Sequence, residues 1–224
     1  MALGRFLHGT PRSDTPGVTI GPAHAYELFS AIGFAGRRRR AFAQLAALSG
    51  AQPGDHALDV GCGTGGLTRP MAQRVGAEGT MLGIDPSPSV LAYARRKSLD
   101  QRITAAAVAY QEGTAESLDV PDASMDVVVN SLMLHHLPEE LRPVALAEMY
   151  RVLRPGGRLL VAEFRPPTGR LGRSLVHVLA GHAMEHSGVD LLGDLLTDTG
   201  FELVGHGDIR PWLTYFQGVR PTNT

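Results

Sequence analysis

The chain has 224 residues, 43% hydrophobic and 19% charged, with 21 basic against 22 acidic side chains and a formal net charge of −1. With a pI near 6.8 and a mean hydropathy of −0.03, wholesale disorder is excluded and no global positive field exists to hold a phosphate backbone, so a nucleic-acid partner is not expected. The single cysteine, Cys62, excludes an internal disulfide and a cysteine-rich zinc site, and no apolar run approaches a membrane span; a cytoplasmic protein without stable membrane insertion is expected.

Residues 1–22, with Gly4, Gly9, Pro11, Pro16, Gly17 and Pro22, read as a flexible lead-in, and 23–224 as one domain. Tyr26 to Leu48 has the apolar spacing of a helix, with Gly33 and Gly36 as weak points. Pro53-Gly54-Asp55 is a turn, His56–Val60 a short apolar strand, and Leu67–Val75 a helix. Met81–Ile84 is the next strand, stopped at Asp85-Pro86, with Ser87 or Ser89 available to cap a helix through Leu91 to Lys97. The second half repeats this rhythm. Strands are expected at 106–111, 126–132 and 158–164, and a helix from Pro138 to Leu153 that Arg154-Pro155-Gly156-Gly157 breaks. Helices at 171–186 and 189–198 and strands near 201–207 and 213–219 follow. The alternation predicts an α/β fold: a Rossmann-like, doubly wound, mostly parallel seven-stranded sheet with helices on both faces.

The run Asp59-Val60-Gly61-Cys62-Gly63-Thr64-Gly65-Gly66 falls at the first strand-to-helix turn. Glycines there let the backbone pass close under a ligand, and the helix start supplies unpaired N–H groups. Asp85 follows Gly65 by 20 residues, at the end of the second strand, where a carboxylate can accept both hydroxyls of a ribose. Gly61, Gly63 and Gly66 also satisfy a dinucleotide pattern, so a nicotinamide-dependent oxidoreductase is the alternative enzyme. Asp59 argues against it, because a negative charge ahead of the glycines suits an ammonium group better than a pyrophosphate.

These residues, with GIDPSP, GTAESL, DVVVNSLMLHHLP and MYRVLRPGGRLLVAEF, resemble class I S-adenosylmethionine-dependent methyltransferases, most of all the ubiquinone and menaquinone biosynthesis methylases. The resemblance covers roughly residues 25–218. It implies S-adenosylmethionine as cofactor and a small-molecule methyl acceptor: a quinone precursor, a phenolic or secondary metabolite, or a peptide or lipid amine. It further implies that Asp59, Gly61, Gly63 and Gly65 cradle the methionine part. Asp85 would meet the ribose, Pro86 and Ser87 would lie along the adenosine, and Thr114, Ala115 and Glu116 would meet the adenine edge. Ser131 would lie beside the methionine part, and Tyr26 would close over the cofactor. Where the family usually has Asp, this chain has Thr114, which removes the carboxylate acceptor for the exocyclic amine and leaves a non-catalytic cofactor-binding protein as a further alternative.

For a phenol, enol or carbon acid the natural proton acceptor is histidine. Of the pair His135-His136, His135 is expected to face the acceptor and His136 to be structural. His182-Ala183-Met184-Glu185-His186 fits an inverted zinc-peptidase signature without a third ligand. No metal is expected, and His182 and His186 are assigned to the acceptor. Arg37–Arg40 wraps around one helical turn as a solvated face or a steering device for an anion, and Cys62 and Trp212 are read as packing residues.

Overall fold

The computed structural model describes residues 37–100, 107–165, 189–210 and 212–222. Helices α1 (Arg38–Leu48), α2 (Thr68–Val75), α3 (Pro88–Asp100), α4 (Arg142–Val152) and α5 (Val189–Asp198) flank seven strands. The strands are β1 (His56–Val60), β2 (Thr80–Asp85), β3 (Ala107–Glu112), β4 (Met125–Ser131), β5 (Leu153–Phe164), β6 (Glu202–Ile209) and β7 (Leu213–Val219). They form one sheet in the order β3-β2-β1-β4-β5-β7-β6. Pairing is parallel from β3 to β5, and β7 runs antiparallel to both β5 and β6. This is the doubly wound architecture expected.

Alternation along the strands divides the core. In β4, Val127 and Val129 join one apolar cluster with Phe42 and Leu45 of α1 and Met71 and Val75 of α2. Val128 joins another with Leu146 and Met149 of α4 and Leu192 and Leu196 of α5. In β5, Leu160 and Ala162 go to the first and Leu159 and Val161 to the second. A period of two on a sheet covered on both faces produces this split, and each such aliphatic side chain contributes about 1.5–3 kcal/mol of burial.

Two expectations are corrected. Pro138 opens a single 3-10 turn at Glu139–Leu141, and the α-helix begins only at Arg142. Arg154–Gly157 does end α4, but β5 already starts at Leu153 and runs through it. Gly156, at φ +78, donates its N–H to the Arg220 carbonyl at 2.7 Å, and the Arg220 N–H donates to Gly157 at 2.9 Å. A partner beyond β7 thus gives the segment its ladder. The Arg220 guanidinium also donates to the carbonyls of Tyr150, Arg151 and Leu153, closing the C-terminal end of α4.

Candidate functional site

Strand β1 lies between β2 and β4, where the strand order reverses, and an open α/β sheet binds ligands in the crevice at such a switch point. Gly61, Gly63 and Gly65 have φ of +70, +52 and +73, a left-handed path that residues with a Cβ rarely follow. The alternate glycines are therefore required by the backbone itself. A Cβ on Gly61 would stand 2.3 Å from Cγ of Met133, and one on Gly65 2.5 Å from the Tyr110 hydroxyl. The loop is tied down from β2. Gly61 and Cys62 donate to the Ile84 carbonyl at 2.8 and 2.9 Å, and Gly63 donates to Oδ2 of Asp85 at 2.9 Å.

Asp85 is buried and holds the next turn as well, its Oδ1 accepting the Ser87 N–H at 2.9 Å. Burial raises its pKa above the usual carboxylate range against the opposing pull of those two N–H groups. Asp59 is fully buried, and its Oδ2 accepts the Thr68 hydroxyl at 2.6 Å. Its Oδ1 has no hydrogen-bond partner among the described residues. Loss of solvent pushes the Asp59 pKa up to about 7, with the nearby charge of Asp85 adding to the rise and the Thr68 bond opposing it. Burial and the same two carboxylates push the Cys62 thiol up, which suits a packing residue and not a thiolate nucleophile.

A cleft partly open to solvent lies against this loop. Its walls carry Gly61, Gly63, Asp85, Pro86, Thr114, Ala115, Glu116 and Ser131 of the expected set. These come from the ends of β1, β2 and β4 and the segment after β3. Asp59 and Gly65 stand behind that wall: the first is buried beneath the loop, the second is turned onto Tyr110. Tyr26, His182 and His186 lie outside the described residues. Thr114 forms an isolated bridge with Ser117, and Glu116 supplies a carboxylate on the same wall.

The two histidines change places. His136 lines the cleft, whereas His135 does not; its Nδ1 is 2.6 Å from Oε2 of Glu163, and both side chains are nearly buried. The expectation that His135 faces the acceptor and His136 is structural is therefore reversed in placement. Glu163 holds the His135 ring, and within the 3-10 turn Leu134–His136 the His136 ring packs against it and reaches the cleft wall. Arg38, Phe42, Met133 and Leu137 also line the cleft and were missed. Arg38 stacks its guanidinium 5.0 Å from the Phe42 ring centre, so one member of the arginine run belongs to the site. The signal for Glu163 was a lone carboxylate inside an apolar strand.

A methyltransferase-domain family model matches residues 57–157. The ubiquinone/menaquinone biosynthesis C-methyltransferase UbiE of Ectopseudomonas mendocina is 32% identical over 197 residues, covering 78% of this chain and 76% of that protein. The chain belongs to the class I S-adenosylmethionine-dependent methyltransferases, in their UbiE-like branch. UbiE of Stutzerimonas stutzeri is 38% identical over 151 residues, 67% of this chain and 56% of its own length. The chain spans about half the length of several of the curated relatives it matches. A solved S-adenosylmethionine-dependent methyltransferase from Aquifex aeolicus shares the fold with a TM-score of 0.72 at 19% identity, over 90% of this chain and 100% of that one.

Membership in this methyltransferase family decides against the nicotinamide-dependent alternative and identifies S-adenosylmethionine as the cofactor. The residues present fit it. Asp59 has an unpartnered buried oxygen, Gly61 and Gly63 bring bare backbone to the cleft wall, and Asp85 presents a fixed carboxylate there. No helix among the described residues is long and apolar enough to cross a membrane.

Proposed function

We propose that this protein is a methyltransferase that methylates a carbon or oxygen of a small aromatic or enolic acceptor, with a quinone precursor as the leading class. The observation that carries this is the cleft itself, which joins the cofactor-type cradle of Gly61, Gly63 and Asp85 to a wall of Phe42, Leu137 and His136. The names of the UbiE relatives support the quinone class. Residues 23–224 act as one domain, in the cytoplasm, without a nucleic-acid partner.

When bound, S-adenosylmethionine supplies a methyl group on positively charged sulfur. Gly61, Gly63 and Ser131 would line its methionine part, with Asp59 and Gly65 backing the loop from behind, Asp85 and Pro86 would meet the ribose side, and Thr114, Ala115 and Glu116 the adenine edge. Asp85 keeps spare lone pairs for ribose hydroxyls because each oxygen already accepts only one backbone N–H. The unpartnered Oδ1 of Asp59 is suited to an ammonium group, directly or through water. Phe42 and Leu137 offer the acceptor apolar contacts at the wall. The chain's part in catalysis is alignment and uptake of a proton.

The test pairs calorimetry with S-adenosylhomocysteine and transfer of labelled methyl to reduced quinone precursors. Saturable binding with turnover is expected. Binding without turnover on any acceptor would favour the non-catalytic alternative, and no binding would overturn the proposal.

A further inference from the structure

Glu163 is the only carboxylate in the run Arg158–Phe164 and is 1% exposed. A charge taken out of water needs donors, and this one has three, from three consecutive residues. Its Oε1 accepts the N–H groups of Met133 at 3.1 Å and Leu134 at 2.8 Å, and its Oε2 pairs with Nδ1 of His135 at 2.6 Å. The turn so held follows Leu132, whose φ of +57 is a conformation that a leucine adopts only when its surroundings impose it. The His136 N–H closes the turn onto the Met133 carbonyl at 2.8 Å, and the rings of His135 and His136 lie 4.1 Å apart, tilted by 40°.

A carboxylate on Nδ1 selects the imidazole form that carries its proton there and fixes the ring's plane. That ring is the surface against which His136 packs. We propose that Glu163 is a positioning residue: through His135 it seats His136 at the cleft wall, where His136 accepts the proton that the methyl acceptor gives up. This rests on the methyltransferase reading above. In balance, the acceptor atom provides the electron pair of its new bond to the methyl group, and the pair of the broken carbon–sulfur bond stays on sulfur. The acceptor's proton goes to an imidazole nitrogen of His136 and from there to water.

The test compares the wild type with Glu163→Gln and His136→Gln, using naphthohydroquinone as acceptor probe. Glutamine at 163 keeps an oxygen for the Met133 and Leu134 N–H groups but turns an amide NH₂ toward His135. His135 must then carry its proton on Nε2, and nitrogen NMR of histidine-labelled protein reads that switch. The expected result is a switched His135 tautomer and a kcat lowered about tenfold or more, with KM and S-adenosylhomocysteine affinity within about threefold. His136→Gln is expected to lower kcat by about 10² with the same KM. Unchanged kcat in either variant, an unswitched tautomer, or equal losses of kcat and cofactor affinity would overturn the proposal. Should Glu163→Gln fail to fold, His135→Asn keeps a donor for Glu163 and removes only the ring. It is expected to lower kcat about tenfold, and full activity would overturn the proposal. Should the wild type bind S-adenosylhomocysteine but leave the probe unmethylated, the acceptor class fails separately. NMR then decides the positioning role: His136 signals that move with the His135 switch support it, and signals that stay overturn it.

Discussion

Asp85 and Gly63, 22 residues apart in the chain, are joined by a 2.9 Å hydrogen bond from the Gly63 N–H to Oδ2 of the carboxylate. The bond ties the end of β2 to the middle of the glycine loop after β1. One side chain therefore both shapes the cradle and faces the cleft, because Asp85 also lines it.

Asp85→Ala is accordingly expected to weaken S-adenosylhomocysteine binding by about two decades, roughly 3 kcal/mol for lost charge-assisted bonds and a loosened loop. Titration calorimetry on the folded variant checks this. Affinity within threefold of wild type would remove Asp85 from the site.

Gly61→Ala meets two obstacles, the +70 φ and the side chain of Met133 at 2.3 Å. A second substitution separates them. Met133→Gly, which also removes the Met133 Cβ 2.7 Å from the new methyl group, should restore the part of cofactor affinity lost to collision, while a backbone cost of about 1–2 kcal/mol remains in the stability of the double variant. A double variant no better than Gly61→Ala would place the whole effect in the backbone.

Asp59 links stability to pH. Its folded pKa, about 7, lies above the unfolded value, so between pH 4 and 7 the native state binds more protons than the unfolded one. Stability from this group is then present at low pH and lost as pH rises, by on the order of 4 kcal/mol once pH exceeds the folded pKa. Asp59→Asn keeps an acceptor for Thr68 without the charge. Urea unfolding without cofactor should find it more stable than wild type at pH 8, with the difference closing by pH 4, yet weaker in S-adenosylhomocysteine binding. A difference independent of pH would mean that Asp59 titrates normally.

Arg220→Ala removes donors to three carbonyls at the end of α4 and a cation stacked 4.7 Å from the Tyr150 ring centre. A loss of about 2 kcal/mol is expected in urea unfolding, with cofactor affinity unchanged, since the contact lies away from the cleft. An unchanged midpoint would show that solvent satisfies those carbonyls equally well.

Local pattern determined most of the fold. The apolar run through Val127, Val128 and Val129 and the glycine spacing after Asp59 each act over a few residues, so strand, turn and helix follow from nearest neighbours. The glycine loop was legible for the same reason, since a left-handed path at 61, 63 and 65 admits glycine and little else. Arg154–Gly157 shows where that logic stops. Gly156 is left-handed as a turn residue would be, yet the segment is strand because Arg220 arrives to pair with it.

Backbone sterics and apolar periodicity are local, so the strands, the helices between them and the glycine loop could be read from the chain alone. Only tertiary structure decided which of two adjacent histidines reaches the cleft. His135 and His136 have equal chemistry and neighbouring positions, and no periodicity separates them in a 3-10 turn. The choice was made by Glu163, 28 residues further on, whose buried charge required a donor and took the His135 ring. In the same way Arg38 became a wall of the site, and not one more solvated arginine, only when Phe42 of α1 packed against the glycine loop.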